Sequence, residues 1–516
     1  MPRLKYLYPL LFGIIPILNI VSRNPGYATQ VDILVVLGVA VLGCAVLYGL
    51  LVVILRRKPR VAALLVFLLV LGFYGAVPLA VAATDAVGVA GLGLLPILAC
   101  AVAAVWWWLV RHHRSLDRFS RFLTLTGVFL VAWLSGRILL DQRHARWAIQ
   151  HSAIVRKLAQ PIAVTPRKRP TQMAPDIYLI ILDEYANSSV LREQFSFDNR
   201  AFEDSLRQLG FTIPKSVHSN YTHTILSLPS LLNFSHLTEL SAELGRSATD
   251  PTLPGYLLQH NRTVAFLRSQ GYTYLFYPSQ WWPATEHALH ADSEFQAWHE
   301  RSLGRELSRS HFRRTLTRMT LLGQIFRDAP YDADHVERTL EALTSVPARA
   351  EPTFAFAHVM NPHYPYVFQA DCQLVPPHGA KRKRVAYVNQ LQCLNRLLLT
   401  TVTTLLKQSP TPPVILLQGD HGTSTLNFSW ARNAAAVTPA QARERFGAFG
   451  AYYLPEGGSR LVSDSVTLVN VFQKVLGYYL GADVQPSGDQ LYMSIERKPY
   501  DFVQVDPRRL APSPSP

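Results

Sequence analysis

Two apolar runs of residues end in side chains that could bind a metal ion. The run Ile-Tyr-Leu-Ile-Ile-Leu precedes Asp183 and Glu184, and the run Val-Ile-Leu-Leu-Gln-Gly precedes Asp420, His421 and a glycine. Burial of adjacent carboxylates is costly without water, a donor or a cation, so Asp183 and Glu184 alone favour a solvated turn. Carboxylate with imidazole suits Zn²⁺, Mn²⁺ or a similar ion. Two strands that bring these groups to one edge of a sheet therefore predict a metal site.

A third segment offers a hydroxyl nucleophile. Thr224 lies in the stretch from Ser219 to Asn233, at the start of a predicted short helix. Amides at a helix N-terminus, with a nearby cation, stabilise the oxyanion that a weak alcohol nucleophile requires. The alternative is an ordinary threonine N-cap, which is the commoner role of an isolated threonine in this position.

In this order and at these separations, the motifs resemble the sulfatase N-terminal domain of the alkaline phosphatase superfamily, over roughly residues 174–485. The resemblance rests on Asp183-Glu184, the stretch from Thr224 to Asn233, Pro362-His363-Tyr364-Pro365-Tyr366 and Asp420-His421-Gly422. In sulfatases the nucleophile precedes a Ser-Leu-Leu run by six positions, and six positions before Ser230 is Thr224.

The chain departs from sulfatases at the nucleophile. The Cys-x-Pro-Ser-Arg context of formylglycine is replaced by Thr-Ile-Leu-Ser-Leu, so formylglycine chemistry is not expected. Threonine at this position is used by the membrane-bound phosphotransferases of the superfamily, including lipoteichoic acid synthases and lipid A phosphoethanolamine transferases. These enzymes also place an external catalytic domain after several membrane helices, and the layout here is similar.

The resemblance implies a role for each motif. Asp183 or Glu184, together with Thr224, Asp420 and His421, would coordinate one divalent metal ion (Zn, Mn, Mg or Ca). The ion would lower the pKa of the Thr224 hydroxyl, and the transferred group would pass through a covalent Thr224 ester. His363 would bind anionic oxygens of the substrate or protonate the leaving group; a surface loop histidine is the alternative.

Other polar residues receive plainer interpretations. His358 is taken as a strand residue rather than a ligand. Arg432, Arg443 and Arg445 follow the Asp-His-Gly strand and are taken as solvated surface residues. The transferases usually have a further histidine in this region, and no histidine follows His421 here.

The elements that must position these residues alternate between strand-like and helix-like patterns. Strands are predicted over residues 177–182, 272–277, 353–359, 414–417 and 449–454. Helices are predicted over residues 201–209, 339–346, 386–406 and 466–480. This order predicts an α/β domain with a mainly parallel central sheet, whose ligands gather at the carboxyl ends of the strands.

The first part of the chain has the composition of membrane helices. Four segments are long and apolar enough to cross a bilayer, over residues 33–55, 61–83, 87–110 and 122–140. Residues 7–21 form a shorter fifth segment, for which a signal peptide is the alternative. Arginine and lysine concentrate in alternate loops, which places the N-terminus in the cytoplasm and everything after residue 140 outside.

These observations divide the chain into four regions. Residues 1–141 are predicted as a five-helix transmembrane region and residues 142–174 as a basic, Pro-rich linker. Residues 175–485 are predicted as the sulfatase-like catalytic domain and residues 486–516 as a C-terminal extension and tail. Cys372 and Cys393 lie in the external part, where a disulfide is permitted but not required.

Composition argues against a nucleic-acid partner. The formal net charge is +15, but much of it lies in the membrane loops and the linker, where contact with anionic lipid explains it more simply. The sequence therefore predicts a multi-pass enzyme of the bacterial inner membrane with a periplasmic catalytic domain. It would transfer or hydrolyse a phosphoryl-linked headgroup, such as phosphoethanolamine or phosphoglycerol, on a lipid or glycan.

Two alternatives stay open. One is a hydrolase of the same fold that acts on sulfuric or phosphoric esters, with water as acceptor. The other is a catalytically degenerate envelope scaffold, which would have no use for the metal-binding motifs. The oligomeric state is not indicated by the sequence.

Overall fold

A computed structural model describes residues 6–24, 26, 28–87, 107, 116–165, 174–279, 281, 283–295, 306–307, 309–326, 331–375, 383–428 and 431–510. The chain divides into two compact units. The first unit comprises residues 1–147 and 300–329, and the second unit comprises residues 148–299 and 330–516. Residues 300–329 therefore belong to the first unit, although the segments before and after them in the sequence belong to the second.

The α-helices are numbered in chain order. They are α1 (Tyr8–Arg23), α2 (Gln30–Ile54), α3 (Pro59–Val87), α4 (Leu116–His151), α5 (Ala153–Leu158), α6 (Ser188–Phe195), α7 (Arg200–Gln208), α8 (Thr224–Asn233), α9 (Leu240–Leu244), α10 (Thr252–Gln259), α11 (Arg262–Ser269), α12 (His311–Arg318), α13 (Leu322–Ile325), α14 (Tyr331–Leu343), α15 (Lys383–Gln408), α16 (Pro439–Phe446) and α17 (Leu468–Leu480).

The strands are numbered in the same way. They are β1 (Ala163–Val164), β2 (Ile177–Leu182), β3 (Ser216–His218), β4 (Thr273–Tyr277), β5 (Ser293–Glu294), β6 (Thr353–Val359), β7 (Val414–Gly419), β8 (Gly450–Tyr453), β9 (Ser465–Thr467), β10 (Ala482–Asp483), β11 (Leu491–Ile495) and β12 (Lys498–Val505).

In the first unit, three of the described helices are long and apolar enough to cross a membrane: Gln30–Ile54, Pro59–Val81 and Asp117–His151. Helix α1 is apolar but has only 16 residues. The span predicted over residues 87–110 lies almost entirely outside the described residues. The basic linker around residues 167–169 and the tail after residue 510 also lie outside them.

The second unit is built on a six-stranded sheet in the order β5-β4-β6-β2-β7-β8. Neighbouring strands are parallel except for β7 and β8, which pair antiparallel. The predicted α/β fold with a mainly parallel sheet is therefore confirmed. Strand β2 is buried along its whole length, as expected of a central parallel strand that is covered on both faces.

Successive side chains of β2 point to opposite faces of the sheet and join two separate hydrophobic cores. Tyr178, Ile180 and Leu182 join a core on one face of the sheet that includes residues of α15. Ile177, Leu179 and Ile181 join a core on the other face that includes residues of α8 and α17. Because α8 packs on the sheet through this second core, its N-terminus has a fixed position near the strand ends.

The second unit also contains pairs of short strands and a disulfide. The hairpin of β11 and β12 is antiparallel, and β3 pairs with β9. Cys372 and Cys393 form a disulfide that joins the loop after β6 to helix α15.

Candidate active site

Two buried carboxylates meet at the carboxyl edge of the sheet. Strands β2 and β7 are paired so that Leu182 lies opposite Gly419, which brings the following residues, Asp183 and Asp420, close together. Asp183 is 3% exposed and Asp420 is fully buried. The backbone amides of Glu184 and His421 donate to Asp420 Oδ1 over 3.3 and 2.9 Å. These bonds satisfy one Asp420 oxygen only.

Thr224 is the first residue of α8, as predicted, and it follows the extended residue His223. Its Oγ1 lies 3.0 Å from Nε2 of His421. The other ring nitrogen of His421, Nδ1, lies 3.1 Å from the Gly422 carbonyl oxygen and therefore carries the proton. Nε2 is then an acceptor with one lone pair, for which the Thr224 hydroxyl and Arg445 Nη2, 3.2 Å away, are the two donors in reach, and Asp420 Oδ2 lies 3.1 Å from the same nitrogen. A Thr224 hydroxyl that donates to Nε2 forms a nucleophile–base pair.

Gly422 allows this arrangement. A Cβ atom added to it would lie 2.0 Å from the Glu444 carbonyl oxygen, far inside contact distance. The backbone amide of Gly422 also donates to the Arg445 carbonyl oxygen over 2.8 Å. A glycine is thus required after His421 because two backbone segments approach closely there.

Burial and neighbouring charges set the protonation of the site. Burial, helped by the positive charge of Arg445, holds the pKa of His421 well below its ordinary value, so the ring is neutral. Burial and the charge of Asp183 raise the pKa of Asp420 well above its ordinary value. Burial would also raise the pKa of Asp183, but the neighbouring His363 and His358 outweigh it and lower that pKa.

His358 belongs to this site, although its position in a strand was the only role expected of it. It is fully buried near the end of β6, and its Nε2 lies 3.5 Å from Asp183 Oδ2. Its Nδ1 is 2.5 Å from Oγ1 of Thr285, which orients the ring. The possible ligand atoms of Asp183, His358 and Asp420 all lie within 4.8 Å of one another.

These three residues fit a divalent cation. Asp183 Oδ1, His358 Nε2 and Asp420 Oδ2 are buried and have no hydrogen-bond partner among the described residues, although Asp420 Oδ2 lies 3.1 Å from Nε2 of His421. Unsatisfied buried carboxylate oxygens beside an imidazole nitrogen are unstable without a counter-charge. Nitrogen and oxygen donors of this kind suit Zn²⁺ and similar ions.

Glu184 has a different partner. Its backbone lies in the left-handed region, with φ of 58°, and its carbonyl oxygen accepts from the Tyr387 hydroxyl over 2.9 Å. Its carboxylate pairs with Arg445, with 2.6 Å between Nη1 and Oε1. Positive φ in a bulky residue is strained, and such strain is concentrated at functional sites.

Arg445 is buried rather than solvated. Besides Glu184, its guanidinium donates to the carbonyl oxygens of Thr222 and Gly422 over 2.7 and 2.8 Å. Its Nη2 lies 3.2 Å from Nε2 of His421. The expectation of a solvated Arg445 is therefore wrong, because the end of α16 turns this side chain into the site. Arg443, two residues earlier, is partly exposed and 3.9 Å from Glu193.

His363 lies beside the carboxylates. Its backbone amide donates to the Asp183 carbonyl oxygen over 3.1 Å, and its Nδ1 contacts the carbonyl oxygen of Tyr364. Burial would lower the pKa of His363, but the charges of Asp183 and Glu184 raise it. Gln390 of α15 holds this loop by donating to the His363 carbonyl oxygen over 2.9 Å.

The site thus gathers Asp183, Thr224, Asp420 and His421, with Glu184 joined to it through Arg445 and His363 at its edge. Sequence reasoning missed His358 and Arg445. The signal for His358 is a lone histidine near the end of an otherwise apolar strand. No signal in the sequence distinguishes Arg445 from Arg443.

The structure is similar in fold to several solved proteins, each with low identity. The C-terminal periplasmic domain of EcEptC from Escherichia coli, in complex with Zn, is 12% identical, with a TM-score of 0.41 over 66% of this chain and 96% of that one. The soluble domain of lipooligosaccharide phosphoethanolamine transferase A from Neisseria meningitidis is 11% identical, with a TM-score of 0.40 over 62% and 92% of the two chains.

A third solved structure covers a larger share of this chain. The integral membrane protein lipooligosaccharide phosphoethanolamine transferase A (EptA) from Neisseria meningitidis is 12% identical, with a TM-score of 0.41 over 92% of this chain and 94% of that one. A comparison with curated proteins gave no match.

The sulfatase family model matches residues 175–472, which is more than half of the chain and includes every residue of the site described above. The family predicted from the four motifs is confirmed. This chain belongs to the sulfatase family and is a sulfatase-like or phosphotransferase-type enzyme.

Proposed function

We propose that this protein transfers or hydrolyses a phosphoryl-linked headgroup of the phosphoethanolamine or phosphoglycerol type, with Thr224 as nucleophile. The observation that carries the proposal is the 3.0 Å contact between Thr224 Oγ1 and a neutral His421 Nε2 at the N-terminus of a ten-residue helix. A hydroxyl in this position needs only a base and an electrophile to form an ester.

Each step of the proposed reaction uses a side chain of the site. Thr224 Oγ1 attacks phosphorus, and its proton passes to His421 Nε2. The bond from phosphorus to the leaving oxygen breaks, and His363, whose pKa is raised, donates a proton to that oxygen. An acceptor hydroxyl or water then attacks the phosphothreonine ester and gives its proton to His363. The bond from phosphorus to Thr224 Oγ1 breaks, and His421 returns its proton to Oγ1.

Asp183, His358 and Asp420 would hold a divalent metal ion, for the reasons of burial and missing partners given above. Such an ion would supply a lowered hydroxyl pKa and charge stabilisation at the phosphoryl oxygens. The ligand set implied by the resemblance, with Glu184, Thr224 and His421, is a competing proposal that metal binding by variants can separate.

The helix ends support a periplasmic position for the second unit. Arg60 at the start of α3 pairs with Asp117 at the start of α4 over 3.2 Å, so both helices begin at the same end of the first unit. This end also carries Arg118 and Arg121, and cations of this kind mark the cytoplasmic side. Arg137, towards the far end of α4, lies 3.4 Å from the Ser22 carbonyl oxygen at the end of α1. The chain therefore leaves α4 at the end of this helix opposite to the cations.

The disulfide between Cys372 and Cys393 agrees with this orientation, since disulfides persist in oxidising compartments. Thiol labelling tests it directly. A cysteine introduced by Ala28→Cys is expected to react with a membrane-impermeant reagent in intact spheroplasts, whereas one introduced by Lys58→Cys is expected to react only after lysis. The reverse pattern would place the site in the cytoplasm.

The test of the reaction is the intact mass of the purified protein after incubation with membrane lipids and a divalent metal ion. Wild type is expected to gain the mass of a phospho-headgroup, and Thr224→Ala is expected to gain nothing. Ser235→Ala, which removes a hydroxyl one residue beyond the left-handed C-cap of the same helix, serves as control and keeps the adduct.

The fate of the adduct separates the alternatives. Loss of the adduct to water alone indicates a hydrolase, whereas loss only when a lipid or glycan acceptor is added indicates a transferase. No adduct on wild type, with no metal bound, would leave the envelope scaffold as the remaining interpretation.

A further inference from the structure

The ligand atoms of the site fall into two groups that differ in their partners. Asp183 Oδ1, His358 Nε2 and Asp420 Oδ2 have no hydrogen-bond partner among the described residues. Glu184 Oε1, in contrast, is 2.6 Å from Arg445 Nη1 and 3.4 Å from Ser424 Oγ. His421 Nε2 contacts both Thr224 Oγ1 and Arg445 Nη2, and it lies 3.1 Å from Asp420 Oδ2 without a hydrogen bond between them.

Arg445 is held rigidly in place by this second group. Its Nε donates to the Thr222 carbonyl oxygen, and the two Nη1 hydrogens are used by Glu184 and the Gly422 carbonyl oxygen. The guanidinium also lies over the ring of Phe428, 5.6 Å from its centroid. Only Nη2 remains for other acceptors, and it shares His421 Nε2 with the Thr224 hydroxyl.

A guanidinium in this position supplies a fixed positive charge. Arginine keeps its proton in proteins and has no lone pair for coordination, so it neutralises Glu184 without competing as a ligand. The three carboxylates Asp183, Glu184 and Asp420 carry three negative charges when ionised. One divalent ion and Arg445 balance them, whereas a second divalent ion would leave excess positive charge in a buried site.

We propose that the site works with one divalent metal ion, held by Asp183, His358 and Asp420, and with Arg445 as a built-in second cation that binds an oxygen of the transferred group beside Thr224. This inference deepens the proposed function and rests on it. Arginine suits the task because its planar N–H groups bind phosphoryl oxygens at the place where charge develops.

Metal content is the first measurement. After dialysis against Zn²⁺ and removal of free ion, wild type is expected to hold one Zn²⁺ per chain, measured by plasma mass spectrometry. His358→Ala is expected to lose it and Glu184→Gln to keep it. Arg445→Gln frees Glu184 and His421 together, so it is expected to hold two. Arg443→Gln, a change of the same type in the same helix, is expected to hold one.

Anion binding is the second measurement. Wild type loaded with Zn²⁺ is expected to bind orthovanadate, a mimic of the transferred phosphoryl group, and Arg445→Gln to bind it at least tenfold more weakly. Arg445→Lys keeps the charge and is expected to recover part of the affinity. Arg443→Gln is expected to match wild type. Thermal unfolding of each variant shows whether it is folded.

Two results would overturn the inference. One is a Glu184→Gln variant that loses the ion while His358→Ala keeps it. The other is a wild-type protein that holds two ions. These outcomes are independent of the mass adduct at Thr224, because Thr224→Ala is expected to bind one Zn²⁺ like wild type. Absence of an adduct with the expected metal contents would therefore reject the proposed reaction alone.

Discussion

His358 is oriented by a hydroxyl group. Thr285 Oγ1 lies 2.5 Å from His358 Nδ1, and Ser279 Oγ lies 2.5 Å from Thr285 Oγ1. We expect Thr285→Val to free the ring and to weaken Zn²⁺ binding about 10- to 100-fold, as loss of a partner behind a metal ligand commonly does. Competition with a chromogenic chelator measures this affinity.

Thr339→Val is the matched control for that change. Its hydroxyl is buried and has no hydrogen-bond partner among the described residues, so its replacement should leave Zn²⁺ affinity unchanged. Equal affinities for Thr285→Val and wild type would show that the orientation of His358 does not matter for the ion.

At the residue scale, the sequence was informative where a side chain follows a strand or begins a helix. The site could be predicted for Asp183, Asp420 and Thr224. In an α/β fold, the carboxyl ends of the parallel strands and the N-termini of helices lie at the same edge of the sheet. The roles of His358 and Arg445 could not be predicted, because they depend on how far β6 and α16 extend into the site. The metal-binding role of Glu184 stays a prediction, and its contact with Arg445 argues for a different one.

The segment before the nucleophile is held by the C-terminal hairpin, which lies outside the residues matched by the family model. The Ser494 carbonyl oxygen accepts from Thr222 Oγ1 over 2.8 Å and contacts His223 Nε2 over 3.1 Å. We expect Thr222→Val to slow formation of the Thr224 adduct by roughly tenfold, because small misplacement of a nucleophile is costly. The rate is followed by intact mass.

Thr400→Val tests whether loss of a threonine hydroxyl alone has this effect. Thr400 is exposed and bonds only within its own helix, to the Arg396 carbonyl oxygen, so the rate should equal that of wild type. A Thr222→Val variant that reacts at the wild-type rate would show that the hairpin does not position the nucleophile.

Strand β3 carries a partly buried histidine, His218, that should make folding sensitive to acid. Burial lowers the pKa of His218 from 6.5 to about 4. The unfolded chain therefore binds a proton more readily, and stability is lost as pH falls from about 6.5 towards 4. The loss due to His218 is on the order of 3 kcal/mol, since each pKa unit corresponds to about 1.4 kcal/mol.

Thermal unfolding of the full chain in detergent at pH 7.5, 5.5 and 4.5 measures this effect. His218→Gln should show a shallower fall than wild type, with a remaining slope from His223, whose pKa is lowered to about 3, first by burial and then by Arg445. His144→Gln, which changes an exposed histidine, should follow wild type. Parallel curves for His218→Gln and wild type would contradict the prediction.

At the element scale, most of the sheet could be predicted. The segments predicted over residues 177–182 and 353–359 are β2 and β6, and β7 extends the predicted 414–417 to Gly419. Continuous apolar runs identify central parallel strands well. The helix expected over residues 339–346 is instead Tyr331–Leu343, because Pro347 lies in a short 3₁₀ turn and the helical pattern starts earlier.

At the scale of the whole molecule, the sequence did not predict that residues 300–329 join the first unit. Helix α12 reads His-Phe-Arg-Arg-Thr-Leu-Thr-Arg, which is typical of a surface helix of a soluble domain. Its membership of the first unit follows from contacts with residues far earlier in the chain. The amide of Leu321 donates to the Phe73 carbonyl oxygen of α3 over 3.3 Å, and Arg313 pairs with Asp32 of α2.

The ion pair between Arg313 and Asp32 should stabilise the first unit. The two side chains are 2.6 Å apart and only 10% and 12% exposed. Asp32→Asn leaves a buried guanidinium with Glu306 as its remaining acidic partner, also at 2.6 Å. Removing one member of a buried pair costs about 3–5 kcal/mol, and Glu306 should reduce this to about 2–4 kcal/mol.

Limited proteolysis and thermal unfolding of the full chain in detergent measure the effect. Asp32→Asn should melt at lower temperature and be cleaved faster within residues 306–326, whereas Asp32→Asn combined with Arg313→Met should recover, because no unpaired charge is then buried. Arg309→Gln breaks an exposed contact with Glu306 at 3.7 Å and should change neither property. If Asp32→Asn has the same melting temperature and cleavage rate as Arg309→Gln, apolar packing and not this ion pair keeps residues 300–329 in the first unit.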